Sequence, residues 1–211
     1  MDITNFAIFF AASWVLIVTP GPDMIYVITR GMAQGRKAGM ISAIGVTLGI
    51  LVHTLFAAFG LAVILKTSAM AFLMVKYAGG AYLIWIGIKS IKSSGDPSVY
   101  SLNSPAPAMT AKKVFIQGMF TNVLNPKVAL FFLAFLPQFV DPAGMNASLQ
   151  MAGLGIVFAL FGLIFLVGLG YFSGHLGSWL STRKKLAERI QWVTGSILIG
   201  LGIRLALSVD R

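Results

Sequence analysis

The 211-residue sequence contains no cysteine. That excludes a disulfide framework, a thiolate metal site and thiol-relay chemistry. Histidine is nearly missing as well, with only His53 and His175, and there are six acidic residues. These groups are too scattered to form a metal-ligand cluster, so neither a metal nor any other cofactor is expected, and no enzyme signature emerges. Charge of either sign is scarce, 10% of residues against about 25% in a soluble chain. Too few polar side chains remain to coat a water-facing surface. Glycine runs such as Gly195–Gly202 lie within apolar stretches, without the strand-turn-helix setting of a phosphate loop. The start, Met1-Asp2-Ile3, lacks the basic region of a signal peptide, so the first apolar stretch is expected to be retained.

What the sequence has in abundance is apolar length. It is 57% hydrophobic, with a mean hydropathy of +0.87, the composition of an integral membrane protein. Stretches near the 20 or so residues needed to cross a bilayer occur at about residues 3–28, within 38–65, and at 69–88, 114–140, 149–172 and 190–207. Residues 93–112, rich in Ser, Pro and Ala, form the one linker-like segment. The expected fold is therefore all-α, with six transmembrane helices in a single membrane domain. Residues 1–92 and 113–211 would be two three-helix repeats joined by a cytoplasmic linker, 93–112. Three spans per half make the second repeat inverted relative to the first. Basic residues orient the chain. Arg30, Arg36, Lys37, Lys89, Lys92, Lys112, Lys113, Arg183, Lys184, Lys185 and Arg189 fall in three loops on one side, against Lys66, Lys76, Arg204 and Arg211 on the other. The positive-inside rule places the first set in the cytoplasm and both termini outside. The net charge of +10 is thereby explained by topology, without nucleic acid.

Two spans are broken by proline. Thr19-Pro20-Gly21-Pro22-Asp23 interrupts the first and Asn125-Pro126-Lys127 the fourth, so Pro20, Pro22 and Pro126 are the expected helix breaks. Interrupted helices at corresponding positions of inverted repeats mark a transporter's binding site. Asp23 and Lys127 are the most deeply placed charges, each costing at least about 2.5–3.5 kcal/mol at mid-bilayer without a partner or a water-lined cavity. They are the leading candidates for substrate binding, with a purely structural ion pair as the other reading. Gly21, Thr19, Asn122 and Asn125 flank the breaks and either bind substrate or satisfy freed backbone groups. His53, in the second span, is a candidate for proton coupling or an interhelical hydrogen bond. Lys76 and Arg204 are expected to snorkel to the outer surface. Gly35, Gly39, Gly45 and Gly49 carry the four-residue spacing that permits close helix contact.

Taken together, Thr19-Pro20-Gly21-Pro22-Asp23, the spaced glycines after it, Lys76-Tyr77-Ala78-Gly79-Gly80-Ala81-Tyr82-Leu83, the block ending in Asn125-Pro126-Lys127, and Leu136-Pro137-Gln138-Phe139 resemble the LysE/RhtB family of amino-acid exporters over nearly the whole chain. The resemblance implies a bacterial inner-membrane secondary exporter of an amino acid or close derivative, driven by the proton gradient as an antiporter. It is compatible with a homodimer and does not identify the substrate. On that reading Asp23 takes the substrate's ammonium group, while Lys127 and the N–H groups at the restarting helices take its carboxylate. Protonation of Asp23 from outside would release the substrate. Export of a metal or other inorganic cation, and a non-transporting membrane scaffold, are the alternatives left open.

Overall fold

The structure is a computed structural model that describes residues 3–61, 69–92, 108–140, 146–182 and 184–207. All described elements are helical. They are α1 (Ile3–Val18), α2 (Pro22–Gln34), α3 (Arg36–Phe56), α4 (Ala69–Lys92), α5 (Ala111–Val123), α6 (Pro126–Leu130), α7 (Ala147–Thr182) and α8 (Lys184–Leu207). A π-helical turn, Ala57–Leu61, extends α3, and α6 runs on through Phe131–Phe135 and Leu136–Phe139. Among the described residues two helices are long and apolar enough to cross a membrane alone, and up to four spans result if each bent pair counts as one. The bends are 49° between α1 and α2 and 46° between α5 and the helix after it, at the expected prolines.

Polarity runs opposite to that of a soluble protein. Leu55, Phe56, Phe59, Met70, Met74, Ile164 and Leu207 are exposed, whereas Ser13, Ser42, Thr47, Thr54 and Ser173 are buried. All of these hydroxyls except that of Ser13, which has no hydrogen-bond partner, turn back onto their own helices. Thr47 donates to Ala43 O at 2.9 Å, Thr54 to Ile50 O at 3.0 Å and Ser173 to Gly170 O at 2.8 Å. Such self-satisfaction is what an apolar solvent demands of every polar group.

Helices meet where side chains are missing. α3 packs against α5 and α7, and α4 against α8. A Cβ placed on Gly39 would lie 2.6 Å from Gly170 O, and one on Gly87 2.6 Å from Gly195 O, with Gly202 equally close to Gly80 O at 2.7 Å. These are backbone-to-backbone crossings of the small-residue kind. The Gly80–Gly202 and Gly87–Gly195 pairs make α4 and α8 antiparallel. Beyond the second break a phenylalanine cluster fills the core. Phe158 lies 5.1 Å from Phe131 and 5.4 Å from Phe132 between ring centroids, and Phe139 lies 5.4 Å from Phe9.

Several expectations need correction. Arg30 is not a loop residue. It lies in α2 and is only 6% exposed, because the helix runs on to Gln34 beyond the apolar stretch. Lys76 does not snorkel, being 2% exposed. It lies three residues from Gly79, on the face of α4 where a Gly79 Cβ would run into Ala134. Arg204 is exposed. Gly35 is no packing glycine. It turns the chain between α2 and α3 at φ 83°, backbone that favours glycine, with open space around it. Within the expected linker, residues 93–107 lie outside the described residues, and α5 already begins at Ala111.

Gly39→Val should lower the stability of the detergent-solubilised protein by about 1–3 kcal/mol or more, since backbone has to move. Gly153→Ala, with nothing within 4 Å, should be neutral or slightly stabilising. Thermal unfolding of the two variants side by side checks this.

Candidate functional site

Proline has no N–H to give, so each break leaves particular carbonyls without their helical donor. In the first break, position 20 would have served Leu16 O. The donor that replaces it comes from the other half of the chain. Lys127 Nζ donates to Leu16 O at 3.0 Å and to Thr19 O at 2.9 Å. Lys127 is only 7% exposed. It begins a helix, where a cation is disfavoured, yet its side chain carries the charge to the carbonyl end of α1, where a cation is favoured. Gly21 makes the approach feasible, since a Cβ there would sit 3.0 Å from Lys127 Nζ. Thr19 is buried and its hydroxyl donates to Val15 O.

The second break is built by the same rule. Pro126 deprives Asn122 O of its donor. Asn125 N takes up that carbonyl at 2.8 Å, and His53 Nε2 lies 3.1 Å from it. A carbonyl only accepts, so Nε2 carries the hydrogen and donates. The Asn125 side chain caps the restarting helix, accepting from Lys127 N at 3.0 Å. The N–H expected to be available at this second helix start is therefore already used. The start of α2 differs, for its N-cap is Gly21 and no side chain caps it. The N–H groups of Asp23 and Met24 have no partner further back in the helix.

Asp23 is held across the breaks. Its Oδ2 accepts from Asn122 Nδ2 at 2.9 Å and Asn125 Nδ2 at 2.8 Å, while Oδ1 is buried without a hydrogen-bond partner. Asp23 and Lys127 thus share a site while each is bonded to other groups, which leaves no direct ion pair between them.

Thr19, Asp23 and Lys127 line one cavity. Asn122, Asn125 and His53 do not line it, and instead stand behind and hold it. The remaining wall is apolar: Leu16, Ile17, Met24, Ile50, Val128, Phe158, Gly162 and Leu166. The space measures about 20 Å³, room for one water molecule and far less than an amino acid needs. None of these apolar residues could be singled out from sequence, because spans that are apolar all round carry no periodic signal. A polar cluster at the far end of α2 was missed for a different reason, Arg30 having been assigned to a loop. Tyr26 Oη donates to Val114 O at 2.8 Å, Arg30 reaches Gln117 Oε1 at 3.5 Å and Gln34 Oε1 at 3.4 Å, and Gln34 Nε2 donates to Met109 O at 2.8 Å.

Replacing Lys127 with Met would leave Leu16 O and Thr19 O unpaired, at about 1–3 kcal/mol for each buried carbonyl. Asp23→Asn keeps an oxygen that both asparagine amides can reach, so its stability should stay within about 1 kcal/mol of the parent. Equilibrium unfolding in detergent should therefore separate the two variants clearly, with Lys127→Met the weaker protein.

The LysE type translocator family model matches residues 14–209. A relative from Bacillus subtilis called "Uncharacterized membrane protein YrhP" is 32% identical, over 92% of this chain and 94% of its own. The "Leucine efflux protein" of an Enterobacter species is 27% identical over 97% of this chain and 96% of its own. That of Klebsiella pneumoniae is 28% identical over 97% and 95%. No solved structure matches. With apolar membrane-length helices, an inverted polarity and a family match over nearly its whole length, the chain is a multi-pass membrane protein and belongs to the LysE type translocator family.

Proposed function

We propose that this protein is a secondary exporter that moves an amino acid out of the cytoplasm through a six-helix domain of two inverted three-helix repeats. In this arrangement residues 1–92 and 113–211 are the repeats, the termini face outward across the cytoplasmic membrane, and the proton gradient drives antiport. The antiparallel α4–α8 crossing and the donors exchanged between the two breaks support the repeat arrangement.

One observation carries the reading. Asp23, whose Oδ1 is buried and unbonded, and Lys127 line one small cavity beside the uncapped start of α2. A zwitterion needs both signs of partner at one end and a neutral surface along its side chain. Asp23 Oδ1 offers the site for an ammonium group. The third hydrogen on Lys127 Nζ, with the N–H groups of Asp23 and Met24, offers the site for a carboxylate. The apolar wall and the relatives named for leucine efflux favour an aliphatic substrate. Protonating Asp23 would withdraw the ammonium's partner, which couples release to a proton arriving from outside. His53 stands two contacts behind Asp23, by way of Asn122, and would influence that proton without touching the substrate.

Efflux from proteoliposomes loaded with labelled leucine, alanine, threonine and lysine, with and without an imposed pH gradient, tests this. Leucine efflux should rise with the gradient. Asp23→Asn should reduce it roughly thirtyfold or more, as expected from about 2 kcal/mol or more for removing one buried charged partner. Full gradient-driven efflux by Asp23→Asn would sink the coupling role. Absence of efflux across the panel would turn attention to an inorganic cation or to a scaffold.

A further inference from the structure

Gly155, Gly162 and Gly170 are the buried glycines among the described residues of α7. Two of them answer to packing. A Cβ on Gly170 would lie 2.6 Å from the Gly39 carbonyl carbon, and one on Gly155 would sit 2.9 Å from Thr54 Cβ. Gly162 has no such neighbour. A Cβ there would meet a single atom within 4 Å, Ile50 Cδ1 at 3.1 Å, the far end of a flexible side chain. Glycine inside a helix is disfavoured relative to alanine, so a position where alanine would nearly fit calls for another reason.

That reason lies in the cavity. Phe158, Gly162 and Leu166 fall one turn apart on one face of α7, and all three line it together with Ile50 of α3. Bulk, gap, bulk is therefore the profile of this wall, with the Ile50 terminal methyl resting in the gap. Thr19, Asp23 and Lys127 supply the polar lining, so the gap lies in the part that offers only hydrocarbon. We propose that the notch at Gly162 is the subsite for the substrate's aliphatic side chain, and that Gly162 and Ile50 together set the largest side chain transported. As the cavity widens, Ile50 Cδ1 leaves the notch and the substrate's side chain takes its place. This rests on the amino-acid export reading above.

The test compares leucine and alanine efflux from proteoliposomes holding the parent, Gly162→Ala, Ile50→Val and the double variant. Gly162→Ala fills the notch and should lower the leucine-to-alanine ratio about tenfold, the discrimination one methyl group gives in an apolar pocket. Ile50→Val removes Cδ1, so combining it with Gly162→Ala should restore the ratio. Folded Gly162→Ala with the parental ratio would overturn the proposal, as would an equal loss of both substrates, which is what a mere packing role gives. Should Gly162→Ala fail to fold, Ile50→Val alone decides. It should raise methionine or phenylalanine efflux relative to leucine, and an unchanged ratio would overturn the subsite. Parent protein that moves no amino acid would overturn the export reading itself, a result separate from any change of ratio among variants.

Discussion

The structure depends on a constraint set by its prolines. Where Pro20 and Pro126 interrupt their helices, Leu16 O and Asn122 O lose the donors an unbroken helix would supply, and no water in a hydrocarbon core replaces them. Both are answered from the opposite half of the chain, Leu16 O by Lys127 and Asn122 O by His53. The exchange continues through Asp23, a first-half residue held by the two second-half asparagines. Within the second break Asn125 N also reaches Asn122 O, whereas Leu16 O is served from across the chain by Lys127. The crossing of the two broken helices is therefore fixed by hydrogen bonds as much as by packing.

This bears on how the two charges should be read. A structural role and a substrate role are usually set against each other, yet under the proposed reading they would be divided atom by atom. Lys127 uses two hydrogens on carbonyls and retains a third. Asp23 commits Oδ2 to two amides and leaves Oδ1 unbonded. The bonded atoms position the groups, and both residues line one cavity. Holding each charge by only part of its bonding capacity is a way to pre-organise it without neutralising it.

The positions of the breaks were legible in the sequence because proline and glycine act locally. The helices stop at Val18 and Val123 and restart at Pro22 and Pro126, within a residue or two of expectation. The pairing of Leu16 with Lys127 was not legible, although counting the carbonyls that each proline orphans points to where a donor is required. Helix ends were misjudged wherever hydropathy stopped short of the helix, which is how Arg30 came to be placed in a loop. Lys76 was misread because a charge near a span's end can point inward as readily as outward, and only Gly79 against Ala134 decides the face. Ile50, Gly162 and the rest of the apolar wall carry no mark in a sequence whose spans are hydrophobic on every side.

A cavity of about 20 Å³ has to enlarge before any amino acid can occupy it, and the contacts around it differ in how much they can yield. At Gly39 and Gly170 the α3–α7 crossing is backbone against backbone. Moving it gives up close packing along two helices with nothing to fill the gap. By contrast, Arg30 and Gln117 join α2 and α5 at 3.5 Å, a length at which a hydrogen bond is weak. The Tyr26 bond to Val114 O is a single neutral one, worth about 1 kcal/mol. α2 also carries Asp23 and the uncapped helix start, and Gly35 at its far end turns the chain with open space around it. The α3–α7 crossing is thus a close-packed wall of the site, and α2, itself packed on α7 where a Gly31 Cβ would lie 3.1 Å from Gly170 O, is tied to the second half by these bonds together with those from Asn122 and Asn125 to Asp23.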